Sequence, residues 1–159
     1  MIISLVHLNI QFIENDLRNA SNNQKIDWKF VVESTPIYTS PSDHPANSTI
    51  RDTYHPLFDK YGIDIVFTSD NHNYQRTFPL KYNREGGGRN RSNSPIIVDR
   101  SLNNYSSSNS NDNYSGQIYM ITGIGGRSLY PIESQSPLLL NKIMINMVLS
   151  ILILPLTIH

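Results

Sequence analysis

The apolar residues between positions 10 and 21 recur as Ile10, Ile13, Leu17 and Ala20, which predicts a helix of about three turns with one apolar face. The polar run SNNQK ends it. Trp28 to Val32, WKFVV, is a continuous apolar and β-branched run after a polar turn and reads as a buried strand. A loop with three prolines follows. STIRDTYHPLFDKYG, 48–62, returns to helical spacing, with Ile50, Tyr54, Leu57 and Tyr61 on one face, Ser48 as candidate cap and Gly62 as stop. Pro56 lies inside this pattern and predicts a break into two pieces. Ile63 to Thr68 is a second buried strand, so strand, helix and strand form a βαβ unit with a parallel, right-handed crossover. The expected fold class is α/β. Ligands in such sheets collect at the carboxyl ends of the strands, where the 34–44 and 69–76 loops both lie and should face one crevice.

Past Asn83 the pattern dissolves. NREGGGRNRSNS and SLNNYSSSNSNDNYS flank a short apolar piece, PIIVD, with residues that bury too little surface to order, so about 84–116 is expected to be a disordered insertion. GQIYMITGIGG recovers strand character at Ile118 to Thr122 and should rejoin the sheet. The expected organisation is one unit over 1–130, carrying that insertion, and an apolar tail over 131–159.

A chain of 159 residues suffices for one domain with a core. Its 13 basic and 13 acidic side chains cancel, which leaves no electrostatic footprint for nucleic acid or an anionic membrane surface. The absence of cysteine excludes disulfides, thiolate metal sites and thiol nucleophiles. Asparagine stands out at 18 residues, and Asn19, Asn47, Asn90, Asn104 and Asn113 each open an Asn-x-Ser/Thr sequon, which points to a secretory or extracellular location. MIISLVHLNI has neither a basic n-region nor a small-residue cleavage site, so it does not read as a signal peptide.

In this order, WKFVVESTPIYTS, LFDKYGIDIVFTSDNHNYQRTFPL and GQIYMITGIGG resemble the C-terminal half of purple acid phosphatases, of the calcineurin-like metallophosphoesterase superfamily, over roughly residues 11–130. The middle block, with Asn-His-x-Tyr-Gln-Arg-Thr after its strand, is the specific one. The resemblance implies an incomplete metallophosphoesterase α/β sandwich. It also implies a family chemistry in which ferric iron and a divalent zinc, manganese or iron clamp a phosphate monoester and lower the pKa of bound water so that hydroxide attacks.

The same resemblance locates the ligand positions. The first three family motifs have no counterpart in these residues. The fourth, Val-x-x-His, begins at Val31 and ends on Ser34, which cannot replace an imidazole. The fifth, Gly-His-x-His, reads Ser69, Asp70, Asn71, His72. His72 thus stands where the family has a ferric ligand, and Asp70 is a candidate carboxylate substitute at the divalent position. Alternate spacing would put both on one face of an extended segment. Structural zinc gains about 10–16 kcal/mol over four ligands, so one imidazole supplies only a few. No cofactor is expected in this chain. The implied function is a degenerate, truncated purple acid phosphatase-like protein without activity on its own. Alternatives are a metal-dependent acid phosphatase completed by upstream sequence or a partner chain, and a membrane-associated or glycosylated interaction module.

The remaining candidates carry two readings each. His44, ten residues beyond Ser34, resembles a substrate-facing histidine of plant-type members or is a solvated loop residue. Tyr38 is expected to pack, and His72, Tyr74 and Arg76 to be held by packing and hydrogen bonds at a strand end. His55 lacks an evident partner and reads as a surface or half-buried side chain. Gly123, Gly125 and Gly126 read as a turn rather than a phosphate loop, with Arg127 at best a weak anion contact. Residues 138–158 reach the roughly 20 residues of a membrane span only by including Asn141, Lys142, Asn146 and Pro155, so membrane contact there competes with a helix or strand packed on the sheet.

Overall fold

The computed structural model describes residues 2–4, 10–83, 95–100, 116–126, 128–134 and 136–143. Strands β1 (Ile2–Ser4), β2 (Phe30–Glu33), β3 (Ile65–Thr68), β4 (Tyr74–Thr77), β7 (Ile118–Thr122) and β8 (Leu139–Ile143) form one sheet in the order β1-β2-β3-β7-β4-β8. The first four in that order are parallel, and β4 is antiparallel to both β7 and β8. Strands β5 (Leu80–Tyr82) and β6 (Ile96–Val98) make a separate antiparallel pair. The expected α/β class and the parallel β2-α2-β3 unit are observed, and β7 rejoins the sheet beside β3.

Helix α1 (Ile10–Asn22) buries Ile13, Leu17 and Ala20, but Ile10 is 43% exposed at its first position. Helix α2 (Ser48–Tyr61) begins one residue earlier in function than expected. Asn47, not Ser48, is the cap, with extended backbone and Oδ1 accepting from Ile50 N at 3.0 Å. Gly62 ends the helix at φ 62, a left-handed conformation that suits glycine, and Ile63 N donates to the Phe58 carbonyl at 3.0 Å. The helix runs unbroken through Pro56, contrary to the expected division. A proline inside a helix costs about 3 kcal/mol. Here Tyr54, His55, Phe58 and Tyr61 on either side of it all pack against the core, which outweighs that cost.

Register places Val31, Val66 and Tyr119 in one row across β2, β3 and β7. Ile13, Leu17, Phe58 and Tyr61 of the two helices join that row in a single core with Ile37, Ile63 and Leu80. Each such side chain contributes about 1.5–3 kcal/mol by leaving water. The alternate residues face the other way: Phe30 and Phe67 are half-buried and Val32 is 39% exposed. β2 is therefore buried on one face, not on both as its apolar run suggested, because both helices pack on the same side. Trp28 lies outside β2 and stacks on Phe30, with ring centroids 6.5 Å apart.

Two boundaries change. Ile96 to Val98, inside the expected insertion, pairs with β5, and Ile96 enters the core; the glycine- and serine-rich runs around it lie outside the described residues. Leu139 to Ile143, in the expected apolar tail, forms β8 against β4, while residues 144–159 lie outside the described residues. Among the described residues no helix is long and apolar enough to cross a membrane.

Candidate functional site

The parallel strands β2, β3 and β7 end together at Glu33, Thr68 and Thr122, so the segments that follow them meet at one edge of the sheet. Ser69 N donates to the Ser34 carbonyl at 3.3 Å, which joins the expected 34–44 and 69–76 loops. Asp70 then turns the chain with φ 47, the left-handed region that aspartate tolerates better than most residues. The third strand passes so close that a Cβ on Gly123 would collide with the Asn71 carbonyl. Glycine is required there for approach, and the Gly123–Gly126 stretch is not followed by a helix. Arg127 lies outside the described residues.

Three buried amides lock the loops together. Asn71 Oδ1 accepts from His44 N at 2.9 Å, and its Nδ2 donates to the His44 carbonyl at 2.7 Å and to Thr39 Oγ1 at 3.2 Å. Gln75 Oε1 accepts from Ser40 N at 2.7 Å, Gln75 Nε2 donates to Asn73 Oδ1 at 3.0 Å, and Asn73 Nδ2 donates to Ser42 Oγ at 3.1 Å. All three side chains are at most 1% exposed. Their alternation, Asn71-x-Asn73-x-Gln75, is visible in the sequence as a polar period of two, but it names no partner. Glu33 was also missed: it is buried at the end of β2, and its Oε1 accepts from Thr35 N at 3.2 Å.

The candidate ligands have different surroundings. His72 is half-buried, with its ring stacked on Tyr130 at 4.1 Å and Nδ1 3.2 Å from the Ser128 carbonyl. A carbonyl only accepts, so Nδ1 donates there, and in the neutral ring the lone pair is on Nε2. Asp70 instead lines an open groove of about 390 Å³ with Thr35, His44, Asn47 and Ser48. The segment is not extended at Asp70, so the alternate spacing does not bring Asp70 and His72 to one face as in a strand. Ser34 is exposed, with Oγ 3.4 Å from Glu33 Oε1. His44 is an exposed loop residue held by its backbone. Among the described residues no three histidine, aspartate or glutamate side chains converge as a metal site. The donor set does not fit a dinuclear centre.

His55 differs most from expectation. It is fully buried and bonded to Tyr38 Oη through Nδ1 at 2.7 Å, because α2 turns that position under the 34–47 loop. Burial lowers its pKa, with Asp59 opposing, and burial raises that of Tyr38. Tyr38 packs as expected, edge-on to Tyr119 at 4.6 Å. Of the sequons, Asn19 is exposed on α1 and Asn47 caps α2; Asn90, Asn104 and Asn113 lie outside the described residues.

No family profile matches the chain. An uncharacterized protein of Mycobacterium tuberculosis, found in two strains, is 31% identical over 119 residues, which are 74% of this chain and 21% of that protein. Mouse acid phosphatase type 7 is 30% identical over 88 residues, 48% of this chain and 20% of that protein. The chain thus spans about a fifth of the curated relatives it matches. A purple acid phosphatase from yellow lupin seeds superposes with a TM-score of 0.61 at 19% identity, over 89% of this chain and 24% of that one. The fold is that of part of a purple acid phosphatase.

Proposed function

We propose that this chain is a degenerate purple acid phosphatase-like unit that keeps the loop scaffold of the site without phosphatase activity of its own. The observation that carries this is the donor set at the strand ends: Ser34 and Asp70 stand where the resembled motifs have imidazoles, and Asp70 faces the groove while His72 is stacked on Tyr130. A loaded family site would use iron and a second metal to generate hydroxide at a phosphate monoester. His72 with Asp70 supplies at most two donors, fewer than a metal centre needs.

Metal binding tests this directly. Elemental analysis of the purified chain is expected to find no stoichiometric iron, zinc or manganese, and zinc titration no saturable binding tighter than millimolar. About two ions per chain, the complement of a two-metal site, or a violet tyrosinate-to-iron band would overturn the proposal.

A second reading is favoured by the chain's coverage of about a fifth of its relatives. In it, the chain supplies one part of an acid phosphatase whose remaining ligands come from upstream sequence or a partner chain. Activity that appears only when upstream sequence is joined to the chain would support it. The exposed Asn19 and the apolar sequence after β8 leave a third proposal, a secreted, glycosylated or membrane-contacting module. A mass shift at Asn19 removed by an endoglycosidase, or sedimentation with vesicles, would test it.

A further inference from the structure

His55 sits in α2 with no solvent exposure, and the proposed function makes no use of it. Its Nε2 is 3.3 Å from the Leu80 carbonyl, which can only accept, so the neutral ring carries its proton there. Nδ1 is then a lone pair, and at 2.7 Å the Tyr38 hydroxyl donates to it. The surroundings are aromatic: the rings of Tyr82 and Tyr119 stand at 5.6 and 5.3 Å. The nearest charge is Asp59, with Oδ1 3.7 Å from Nε2. That carboxylate is already engaged by Gln117 Nε2 at 2.8 Å and Tyr82 N at 2.7 Å. Arg51 and Asp52, also on α2, are paired with each other at 2.7 Å.

We propose that His55 and Tyr38 form a proton-operated latch, which holds the 34–47 loop on α2 while the imidazole is neutral and releases it when acid protonates the ring. A proton on Nδ1 turns an acceptor into a donor aimed at a hydroxyl that is itself donating. Tyr38 must rotate its hydrogen away, into a space lined by tyrosine rings, or the side chain must leave. Tyr38 is followed at once by Thr39 and Ser40, the loop residues gripped by Asn71 and Gln75, so loss of the latch reaches the groove. The latch does not depend on whether the chain is a phosphatase.

The direction of the pH effect follows from the lowered pKa of His55, caused by burial and opposed by Asp59. The unfolded ring titrates near 6.5. Above that value the latch is at full strength, and it weakens as pH falls below it, because the open state binds the proton that the closed state refuses.

Amide hydrogen exchange of the intact chain, corrected for intrinsic rates, reads the loop through Asn47 N, bonded to the Pro36 carbonyl at 2.9 Å, and Ser40 N. Opening is expected to rise by up to about tenfold per pH unit below 6.5. His55→Gln, whose amide can accept from Tyr38 and donate to Leu80 without titrating, is expected to flatten that rise. An equal rise in both proteins would overturn the latch. Should His55→Gln fail to fold, NMR titration of the wild-type ring decides: a lowered pKa that climbs in Tyr38→Phe supports the proposal, and an ordinary or raised pKa for His55 refutes it.

Discussion

The purified chain, given p-nitrophenyl phosphate from acid to neutral pH, is expected to release no product above the buffer blank, with or without added iron, zinc or manganese. Phosphate monoesters are among the slowest substrates to hydrolyse unaided, and enzymes of this chemistry supply up to about 10²¹-fold. Metal-bound water titrates near pH 7 and free water near 15.7, so the nucleophile is what the missing ligands would have supplied. The lone-pair Nε2 of His72 could act as a general base, but that contribution is typically about 10²–10⁴-fold. The deficit exceeds ten orders of magnitude. Ser34→His with Asp70→His is also expected to remain inactive, because two imidazoles on the 34–47 and 69–73 loops still leave most of a dinuclear ligand set unfilled. Metal-dependent turnover in the unmodified chain that His72→Ala abolishes would sink this expectation.

Replacing Asn71 by leucine, which is close in size, is expected to destabilise the chain by about 2–4 kcal/mol, since each buried polar group left unpaired costs about 1–3 kcal/mol. Asn71 holds both the N–H and the carbonyl of His44, and also Thr39 Oγ1. With a urea slope of about 2 kcal/mol per molar, the unfolding midpoint should fall by roughly 1–2 M. Asn71→Asp tests the same contacts with one acceptor kept: it retains an oxygen for His44 N but loses the donor to the His44 carbonyl, so an intermediate loss is expected. A change below about 0.5 kcal/mol in the leucine variant, the range of an ordinary surface substitution, would mean that the loop is held by something other than this amide.

The two helices and the central strands were legible because each carries its own periodicity. Ile13, Leu17 and Ala20 repeat at helical spacing, and Ile65 to Thr68 is a short apolar run between turn signals. Gly62 marked the end of α2 because a left-handed residue is a local backbone requirement. The loops after β2 and β3 could be placed at one crevice because parallel strands share an end. Likeness to purple acid phosphatases was carried by motif order, which needs no coordinates.

Other features were decided only by contacts distant in sequence. Pro56 forbids a helix by its local chemistry, yet the packing of Phe58 and Tyr61 against β2 and β3 holds α2 continuous. β6 and β8 are three and five residues long, and each exists through a partner strand that no local pattern announces. His55 could read as exposed because one histidine in a mixed helical pattern has no local signature; Tyr38, 17 positions away, makes it a buried acceptor. The left-handed turn at Asp70 sends that side chain to the groove and leaves His72 on Tyr130. Periodicity and motif order are properties of neighbouring residues, so the sequence alone determined the two helix positions, the central strands and the likeness to purple acid phosphatases. The direction of each site side chain depends on turn angles and on hydrogen bonds across tens of positions, and those are settled only when the whole chain has packed.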